Sequence, residues 1–385
     1  MSGVVLVSTA EFTLKSHPVR QQLTRLLKRH IRFNLTRIGL ENCRIKQAGG
    51  FLVIADLEDA DRTAKELAQI FGVAHADACQ PTPLDLDAIS ECATNQAQRK
   101  LKTGDTFAIR ARNFEPSKIK GKEIEIRSGS EVLSRHPGGV KVNLGDPDHT
   151  IRVFYGSKEA FISSARFDGP AGLPVGSQGS LLGLTADTAL APLAFWLLMK
   201  RGAMVWPVIA DLSPLGAASP DQALEGLKRL RPYVPKKTYS ARVIRFDDRT
   251  RNALTAVSPA VQRVFCTRLM FRVAKHLARH ALGLVTGDRF GRAGIESLKD
   301  LRAADEVATF PVYRPLLTLD EEDMRRRLEE LGLAQPETLK TTAWPPSSRD
   351  EALMDEVRTL ENRLLADQLA HNMAVDSSKI QIDFP

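Results

Sequence analysis

The stretch LLGLTADTALAPLAFWLLMKRG, residues 181–202, constrains the fold more than any other part of the chain. An apolar run at 181–184 is followed by a polar turn and an apolar stretch of helical length that ends at Gly202. This strand, turn and helix read as the first half of a βαβ unit. The strand pattern recurs at 203–212, 239–246, 281–288 and 310–316, with a helical stretch at 259–280. We therefore predict a parallel-sheet α/β domain over 173–385.

The pattern of residues 1–172 predicts smaller α+β units. Residues 1–72 alternate strand, helix, strand and helix, and residues 73–172 continue with helices at 84–101 and 117–135 and strands at 106–112 and 150–167. The segment DGPAGLPVGSQGS, 168–180, is rich in glycine and proline and marks a domain boundary. We expect a multidomain α/β and α+β protein divided into 1–72, 73–172 and 173–385.

Composition limits the class of partner. The chain of 385 residues has 43% hydrophobic and 26% charged residues, a net charge of +8 and a pI near 9.3. These values indicate a folded protein with a polyanion as a plausible partner. The longest apolar stretch, 189–199, contains Pro192 and is too short to span a membrane. With no secretion signal, we expect a cytoplasmic protein.

Cysteines and histidines give no metal-site pattern. Cys43, Cys79, Cys92 and Cys266 form no Cys-x-x-Cys pair, and Cys266 falls in an apolar helical pattern typical of a core residue. His276 and His280 have the spacing of a zinc-binding helix, but no third ligand accompanies them. We therefore expect no metal site.

Basic residues are concentrated at mid-chain and suit contacts with an RNA backbone. The candidate RNA-binding residues there are Arg110, Arg112, Lys118, Lys120, Lys122 and Arg127, with Lys15 and Arg20 as weaker candidates near the N-terminus. The alternative is a solvated helix whose cations are balanced by Glu115, Glu123 and Glu125. A second basic set, Arg268, Arg272, Lys275 and Arg279, has helical spacing, and we interpret it as either an exposed helix face or an RNA-facing patch.

Several motifs together resemble the tRNA 4-thiouridine synthetases over nearly the whole chain. The matching stretches, in order, are EFTLKS, GDTFAIRAR, KVNLGDPDHTIRVF, GPAGLPVGSQGSLLGL, LMKRG, LGLVTGD and YRPLLTLDEEDM. The resemblance implies an N-terminal ferredoxin-like domain, a THUMP domain that binds tRNA, and a C-terminal PP-loop domain of the adenine nucleotide alpha hydrolase type.

The nucleotide loop departs from this family. The family motif Ser-Gly-Gly-x-Asp-Ser falls, without a gap, on the residues Ala186, Asp187, Thr188, Ala189, Leu190 and Ala191. The glycines that let backbone N–H groups approach a pyrophosphate are absent, and Asp187 would repel it. The family also implies a catalytic cysteine late in this domain, but the chain has no cysteine after Cys266. We therefore predict a degenerate loop and assign no catalytic residue.

Three hypotheses follow. The first is a tRNA-binding protein without adenylation or sulfur transfer that acts as an accessory or tRNA-presenting factor, with no cofactor and with a separate modifying enzyme or a second copy as further partners. The alternative is an active tRNA-modifying enzyme that uses ATP and magnesium at a diverged site, for which the candidate groups are Asp187, Thr188, Asp288 and Arg289. The third is a protein-interaction scaffold whose basic charge serves solubility.

Overall fold

The chain folds into two compact units, Met1–Pro174 and Val175–Pro385, each with its own sheet. The computed structural model describes residues 3–9, 11–12, 15–136, 138–185, 189–215, 219–278, 280–289, 298–333 and 351–384. Within these ranges, every helix is too short or too polar to span a lipid bilayer.

The first unit combines an eight-stranded sheet with four helices in its described residues. In chain order its elements are β1 (Gly3–Thr9), α1 (His17–Arg37), β2 (Arg44–Ala48), β3 (Phe51–Leu57), α2 (Ala60–Leu67), β4 (Val73–Pro83), α3 (Leu86–Lys100), β5 (Thr106–Asn113), α4 (Gly121–Arg135), β6 (Lys141–Val142), β7 (His149–Tyr155) and β8 (Glu159–Asp168).

The strand β4 joins the two halves of this unit. The sheet order is β2-β3-β1-β4-β8-β7-β5-β6, and β4 pairs antiparallel with β1 on one side and with β8 on the other. Neither β2 nor β4 was predicted from the sequence. Because of β4, the strands before and after residue 72 form one continuous sheet.

Helices cover one face of the sheet. Leu27 and Ile31 of α1 pack on Val5 and Val7 of β1, while α3 and α4 pack on β5, β7 and β8 in a second core. The alternate side chains of β1 point to the other face, where an apolar cluster forms from strand residues and Phe114. The members of this cluster are Val4, Leu6, Phe51, Val53, Cys79, Phe154 and Phe161. We call this face, which carries no helix among the described residues, the open face.

The second unit contains the predicted α/β arrangement. In chain order its described elements are β9 (Ser180–Thr185), α5 (Leu190–Lys200), β10 (Met204–Ala210), α6 (Pro220–Lys228), β11 (Ser240–Ile244), α7 (Asp248–Thr255), α8 (Pro259–Leu277), β12 (Leu284–Val285), α9 (Leu298–Asp305), β13 (Val312–Tyr313), α10 (Glu321–Glu330), α11 (Glu351–Leu364), α12 (Ala366–Val375) and β14 (Ser378–Gln381).

The sheet of the second unit is parallel except at one edge. Its order is β13-β12-β9-β10-β11-β14, and the β14 strand alone among those described runs antiparallel to its neighbour, β11. The parallel α/β sheet predicted from the sequence is therefore confirmed. The central helix α8 buries Phe265, Leu269 and Val273 in the main core of this unit.

A buried arginine holds the C-terminal edge of this sheet. Arg231 is 2% exposed, and its guanidinium donates to the carbonyl oxygens of Val234 at 2.9 Å and Lys236 at 2.8 Å. The ring of Phe384, which follows β14, lies 3.9 Å from the guanidinium carbon. Arg231 thus links the loop before β11 to the end of the chain.

We predict that Arg231→Met lowers the free energy of unfolding of the second unit by about 3 kcal/mol, because buried carbonyls lose their donors. Urea unfolding followed by tryptophan fluorescence measures this unit selectively, since all the tryptophans, Trp196, Trp206 and Trp344, lie in it. The exposed Lys237→Met variant is the control and should change stability by less than about 0.5 kcal/mol. Equal stabilities for the two variants would contradict the anchoring role of Arg231.

Candidate nucleic-acid interface

The register of β5 and β7 places arginines on the open face of the first unit. Arg110 lies opposite Arg152, and Arg112 lies opposite Phe154, in this parallel pair. Paired residues of adjacent strands point to the same face, and Phe154 belongs to the cluster on the open face. Arg110, Arg112 and Arg152 therefore share that face.

These arginines remain available to an anion. Arg110 and Arg112 are exposed, and they contact neutral groups: Arg110 donates to the carbonyl oxygen of Leu144, and the Arg112 guanidinium lies 4.7 Å from the centre of the Phe51 ring. Burial and the nearby charge of Arg166 lower the pKa of Arg152. Among the described residues, Arg110, Arg112 and Arg152 form no ion pair, whereas Arg166 pairs with Asp77.

Sequence analysis missed Arg152, although a signal for it was present. In TIRVFY the arginine occupies a polar position between Ile151 and Val153, both of which are buried. Strand periodicity alone places such a residue opposite the core face. The neighbouring Arg166 differs, because it forms two hydrogen bonds, at 2.9 and 3.0 Å, to the fully buried Asp77 and is neutralised there.

The lysines around the start of α4 are exposed, as RNA contact requires. Lys118, Lys120 and Lys122 form no ion pair in the described part of the chain. The glutamates that would balance them under the alternative interpretation have other partners: Ser157 Oγ donates to Glu115 at 3.1 Å, the Lys120 backbone N–H to Glu123 at 3.3 Å, and the Ala111 backbone N–H to Glu125 at 3.0 Å. The lysines therefore keep their charge for an outside partner.

Arg127 has a partner of its own. Its guanidinium forms an ion pair with Asp87 on α3 at 3.0 Å, although both side chains are exposed. An exposed pair of this kind contributes little to stability and can exchange partners. Arg127 is therefore the mid-chain candidate whose charge is already partly compensated.

A groove in the same unit runs between α1 and the start of β3. The N-terminal candidate Arg20 lines this groove of about 520 Å³, and so do Arg25 and Lys28, which sequence analysis did not select. Residues 20, 24 and 28 are spaced by four and therefore lie on one helix face. This spacing could have identified Lys28 from the sequence. Lys15, the other N-terminal candidate, is exposed just before α1.

The predicted degenerate loop is described only in part. Ala186, Asp187 and Thr188 lie outside the described residues, whereas Ala189 and Ala191 are buried and Leu190 begins α5. The N-cap residue of α5, Ala189, makes no capping hydrogen bond with its side chain, and Pro192, the third residue of the helix, supplies no N–H group. This helix start therefore offers fewer donors to an anion than an ordinary one.

The segment just after β12 approaches α5 closely at Gly287. A Cβ atom at Gly287 would lie only 2.6 Å from the backbone nitrogen of Ala191. Glycine is needed here because any side chain would push the first turn of α5 away from β12. Gly287, in the stretch TGD at 286–288, thus has a packing role in this chain.

The residues after β12 and β13 form a network of charges. Asp288 accepts hydrogen bonds from Thr286 Oγ1 at 2.7 Å and from Arg314 Nε at 2.8 Å, and Arg314 also binds Asp305 at 2.9 and 2.5 Å. Burial lowers the pKa of Arg314, but its hydrogen bonds to these carboxylates outweigh burial and raise it. Arg314 and Asp288 are therefore bound to each other, while Arg289 is half-buried beside them.

Cys266 is a core residue, as predicted. It is 4% exposed inside α8, and burial raises the pKa of its thiol to about 12. A nucleophilic cysteine requires a pKa near or below neutrality. Among the described residues, no group of three or more His, Cys, Asp or Glu side chains is arranged to hold a metal ion.

The interpretation of the α8 cations as an exposed face or an RNA patch is wrong for two of them. Arg268 is 3% exposed and pairs with Glu361 at 2.7 Å and with Glu306 at 2.8 Å. Arg272 also binds Glu361, at 2.7 Å, and reaches Asp367 at 3.2 Å. Lys275 is exposed, and Arg279 lies outside the described residues. Helical spacing could not reveal that α11, α12 and the residue just after α9 supply these carboxylates.

We predict that Arg268→Gln lowers the free energy of unfolding by about 3 kcal/mol, because a buried carboxylate, Glu361, loses a charged partner. Urea unfolding checks the value. Lys275→Gln removes an exposed cation of the same helix and should cost less than about 0.5 kcal/mol. If Arg268→Gln were as stable as Lys275→Gln, Arg268 would not be a structural residue.

Three segments of the chain match known families. Residues 4–76 match the ThiI ferredoxin-like domain, residues 84–165 the THUMP domain, and residues 176–343 the thiamine biosynthesis protein (ThiI). The probable tRNA sulfurtransferase of Halobacterium salinarum is 31% identical over 325 residues, which cover 83% of this chain and 81% of the relative. That of Methanosarcina mazei is 26% identical over 375 residues, covering 94% and 91%.

Solved structures share the fold. The crystal structure of a 4-thiouridine synthetase–RNA complex with bound ATP matches with a TM-score of 0.79 and 20% identity over 100% of both chains. The crystal structure of PH1313 from Pyrococcus horikoshii Ot3 matches with a TM-score of 0.62 and 22% identity, covering 86% of this chain and 100% of that one. The ferredoxin-like, THUMP and PP-loop-type folds expected from the sequence are therefore confirmed.

Proposed function

The chain belongs to the tRNA sulfurtransferase (ThiI) family, and from this premise we propose that it binds tRNA without adenylating it or transferring sulfur to it. Its role is that of an accessory factor that presents tRNA to a separate modifying enzyme. The domain division 1–72, 73–172 and 173–385 is part of this proposal, with the RNA contact in the first two segments.

One observation carries the RNA-binding half of the proposal. Arg110, Arg112 and Arg152 lie together on the open face, and none is neutralised by a carboxylate among the described residues. Arg110 and Arg112 are exposed and Arg152 is half-buried. Guanidinium groups on a rigid sheet suit phosphate oxygens, which they bind with two donors. The relatives named as tRNA sulfurtransferases and the RNA complex of a similarly folded synthetase support tRNA as the ligand.

The loss of chemistry is supported by several sequence changes. The loop carries alanine where the family has serine, aspartate and threonine where it has glycine, and leucine where it has aspartate. Pro192 removes a further backbone donor, and no thiol follows Cys266. Sulfur transfer through a persulfide needs a nucleophilic thiol in reach of the substrate.

The second candidate is an active tRNA sulfurtransferase with a diverged site. Family membership favours it, together with the retained Thr286, Gly287, Asp288 and Arg314. Under this alternative ATP and magnesium are the cofactors. Because Arg314 is bound to both Asp288 and Asp305, Arg314 and Asp288 would have to exchange partners to reach a nucleotide.

We predict that replacing the principal RNA-contacting cations with glutamate weakens tRNA binding by about tenfold or more at fixed salt, because phosphate contacts become repulsions. The variant carries Arg110→Glu, Arg112→Glu, Lys118→Glu, Lys120→Glu and Lys122→Glu. Fluorescence anisotropy with folded tRNA and with linear RNA of equal length provides the measurement, and the native protein should prefer the folded tRNA.

The control for this variant removes equal charge from the second unit. It carries Arg229→Glu, Lys237→Glu, Arg302→Glu, Arg325→Glu and Arg363→Glu, all at exposed positions. The control should bind tRNA better than the test variant does. Equal losses in the two proteins, or equal binding of tRNA and linear RNA by the native protein, would count against a specific site on the first unit.

We predict that ATP with magnesium does not bind at micromolar concentrations, with or without tRNA. Several hydrogen bonds to charged oxygens, each contributing about 1.5 to 3 kcal/mol, are missing from the loop. Calorimetry measures binding, and mass spectrometry of the tRNA detects adenylation. If ATP bound at micromolar concentrations and Asp187→Ala abolished that binding, the loop would form a nucleotide site of another design. That result would favour the alternative of an active enzyme.

A further inference from the structure

A second basic site lies in the second unit, away from the loop at 186–191. It is a cleft of about 740 Å³ at the end of the sheet where β9, β10 and β11 begin, a volume within the range of ligand sites. Ser180 and Ser240, the first residues of β9 and β11, line it. The loop follows the other end of β9, so the cleft and the loop are at opposite ends of the same strand.

The charge of the cleft is positive. Its ionisable lining residues are Arg242, His276, His280, His371 and Lys379, and none of the lining residues is acidic. Arg242 and Lys379 come from the strands β11 and β14, and His276 and His371 come from the helices α8 and α12. His280 lies in the segment just after α8. Separate elements of the fold therefore bring basic groups to one place.

The two strongest cations of the cleft repel each other. Arg242 and Lys379 are directly paired across the antiparallel strands β11 and β14, an arrangement that is unfavourable for like charges. Arg242 donates to Ser377 Oγ at 2.7 Å, which is a neutral partner. Neither cation forms an ion pair with a described residue. A bound anion would relieve this repulsion.

The histidines add hydrogen-bonding groups. The rings of His276 and His371 meet edge to face with their centres 5.1 Å apart, and both residues are exposed. The backbone carbonyl of His280 accepts a hydrogen bond from Ser180 Oγ at 3.1 Å, which ties the end of α8 to the start of β9. Imidazoles at this entrance can donate to phosphate or ribose oxygens.

Trp206 supplies an aromatic surface beside the cations. It lines the cleft, is half-buried, and lies 6.0 Å from the ring of Tyr239. A fixed indole ring next to basic groups is the arrangement on which unpaired bases stack while the backbone is held electrostatically. The cleft therefore combines both elements of single-strand recognition.

We propose that this cleft binds a single-stranded segment of RNA, with a phosphate on Arg242 and Lys379 and a base on Trp206. The exposed positions of His276, His371 and Lys379 favour a strand that runs across the surface over a free nucleotide, which needs an enclosing pocket. The site is additional to the tRNA contact proposed for the first unit.

The test uses the full-length protein and a single-stranded decaribonucleotide. Ultraviolet crosslinking with peptide mapping locates the RNA, and anisotropy measures affinity for the native protein, for Arg242→Gln with Lys379→Gln, and for Trp206→Leu. The control, Arg302→Gln with Arg325→Gln, removes two exposed cations of the same unit. We expect crosslinks at Trp206 or at the ends of α8 and α12, and a loss of about tenfold in the double cleft variant.

Thermal unfolding of each variant distinguishes a loss of RNA binding from a loss of folding. The double variant Arg242→Lys with Lys379→Arg keeps both positive charges and should retain most of the affinity for RNA. Crosslinks confined to the first unit, or equal affinities for the cleft and control variants, would overturn the proposal while leaving the tRNA contact of the first unit intact. Binding of 5′-AMP at the cleft as tight as that of the decaribonucleotide would overturn the assignment to RNA.

Discussion

The architecture of the first unit depends on one strand with hydrogen-bonded partners on both sides. β4 pairs with β1 from Val73 to Cys79 and with β8 from His75 to Pro83, so it joins two sets of strands into one sheet. Pro81 and Pro83 lie beyond the last residue paired with β1, where a missing N–H group costs no bond on that side. The continuous sheet gives the open face its breadth and holds Arg110, Arg112 and Arg152 on a rigid surface.

The two units use their basic residues differently. In the first, Arg110, Arg112 and the α4 lysines stay exposed while nearby glutamates bind backbone and hydroxyl groups. In the second, Arg268, Arg272 and Arg314 are neutralised by carboxylates and stabilise the packing of helices and strands. The net charge of +8 is therefore an unreliable guide to where a polyanion binds. What counts is whether each cation has a carboxylate partner in the folded chain.

Sequence patterns predicted local and strongly periodic features well. The strand, turn and helix at 181–202 became β9 and α5, the helices α3 and α4 were anticipated, and β7 and β8 cover the strand stretch predicted at 150–167. β4 was missed because VAHADACQPTP contains alanine, aspartate and proline, which rarely favour strands, and its stability comes from pairing on two sides. The role of Arg268 was misjudged because its partner, Glu361, lies 93 positions away in the chain. Long-range partners of this kind leave no local pattern.

The central claim, that the chain retains the RNA-binding fold of its family without its chemistry, is tested most directly by a thiolation assay. Purified protein is incubated with unmodified tRNA, ATP, magnesium and excess sulfide, which replaces the missing thiol as sulfur donor, and nucleosides from the tRNA are quantified by mass spectrometry. The account predicts tRNA binding under these conditions with no thiouridine above the protein-free control. Thiouridine that accumulates with protein and ATP, and not without either, would contradict it.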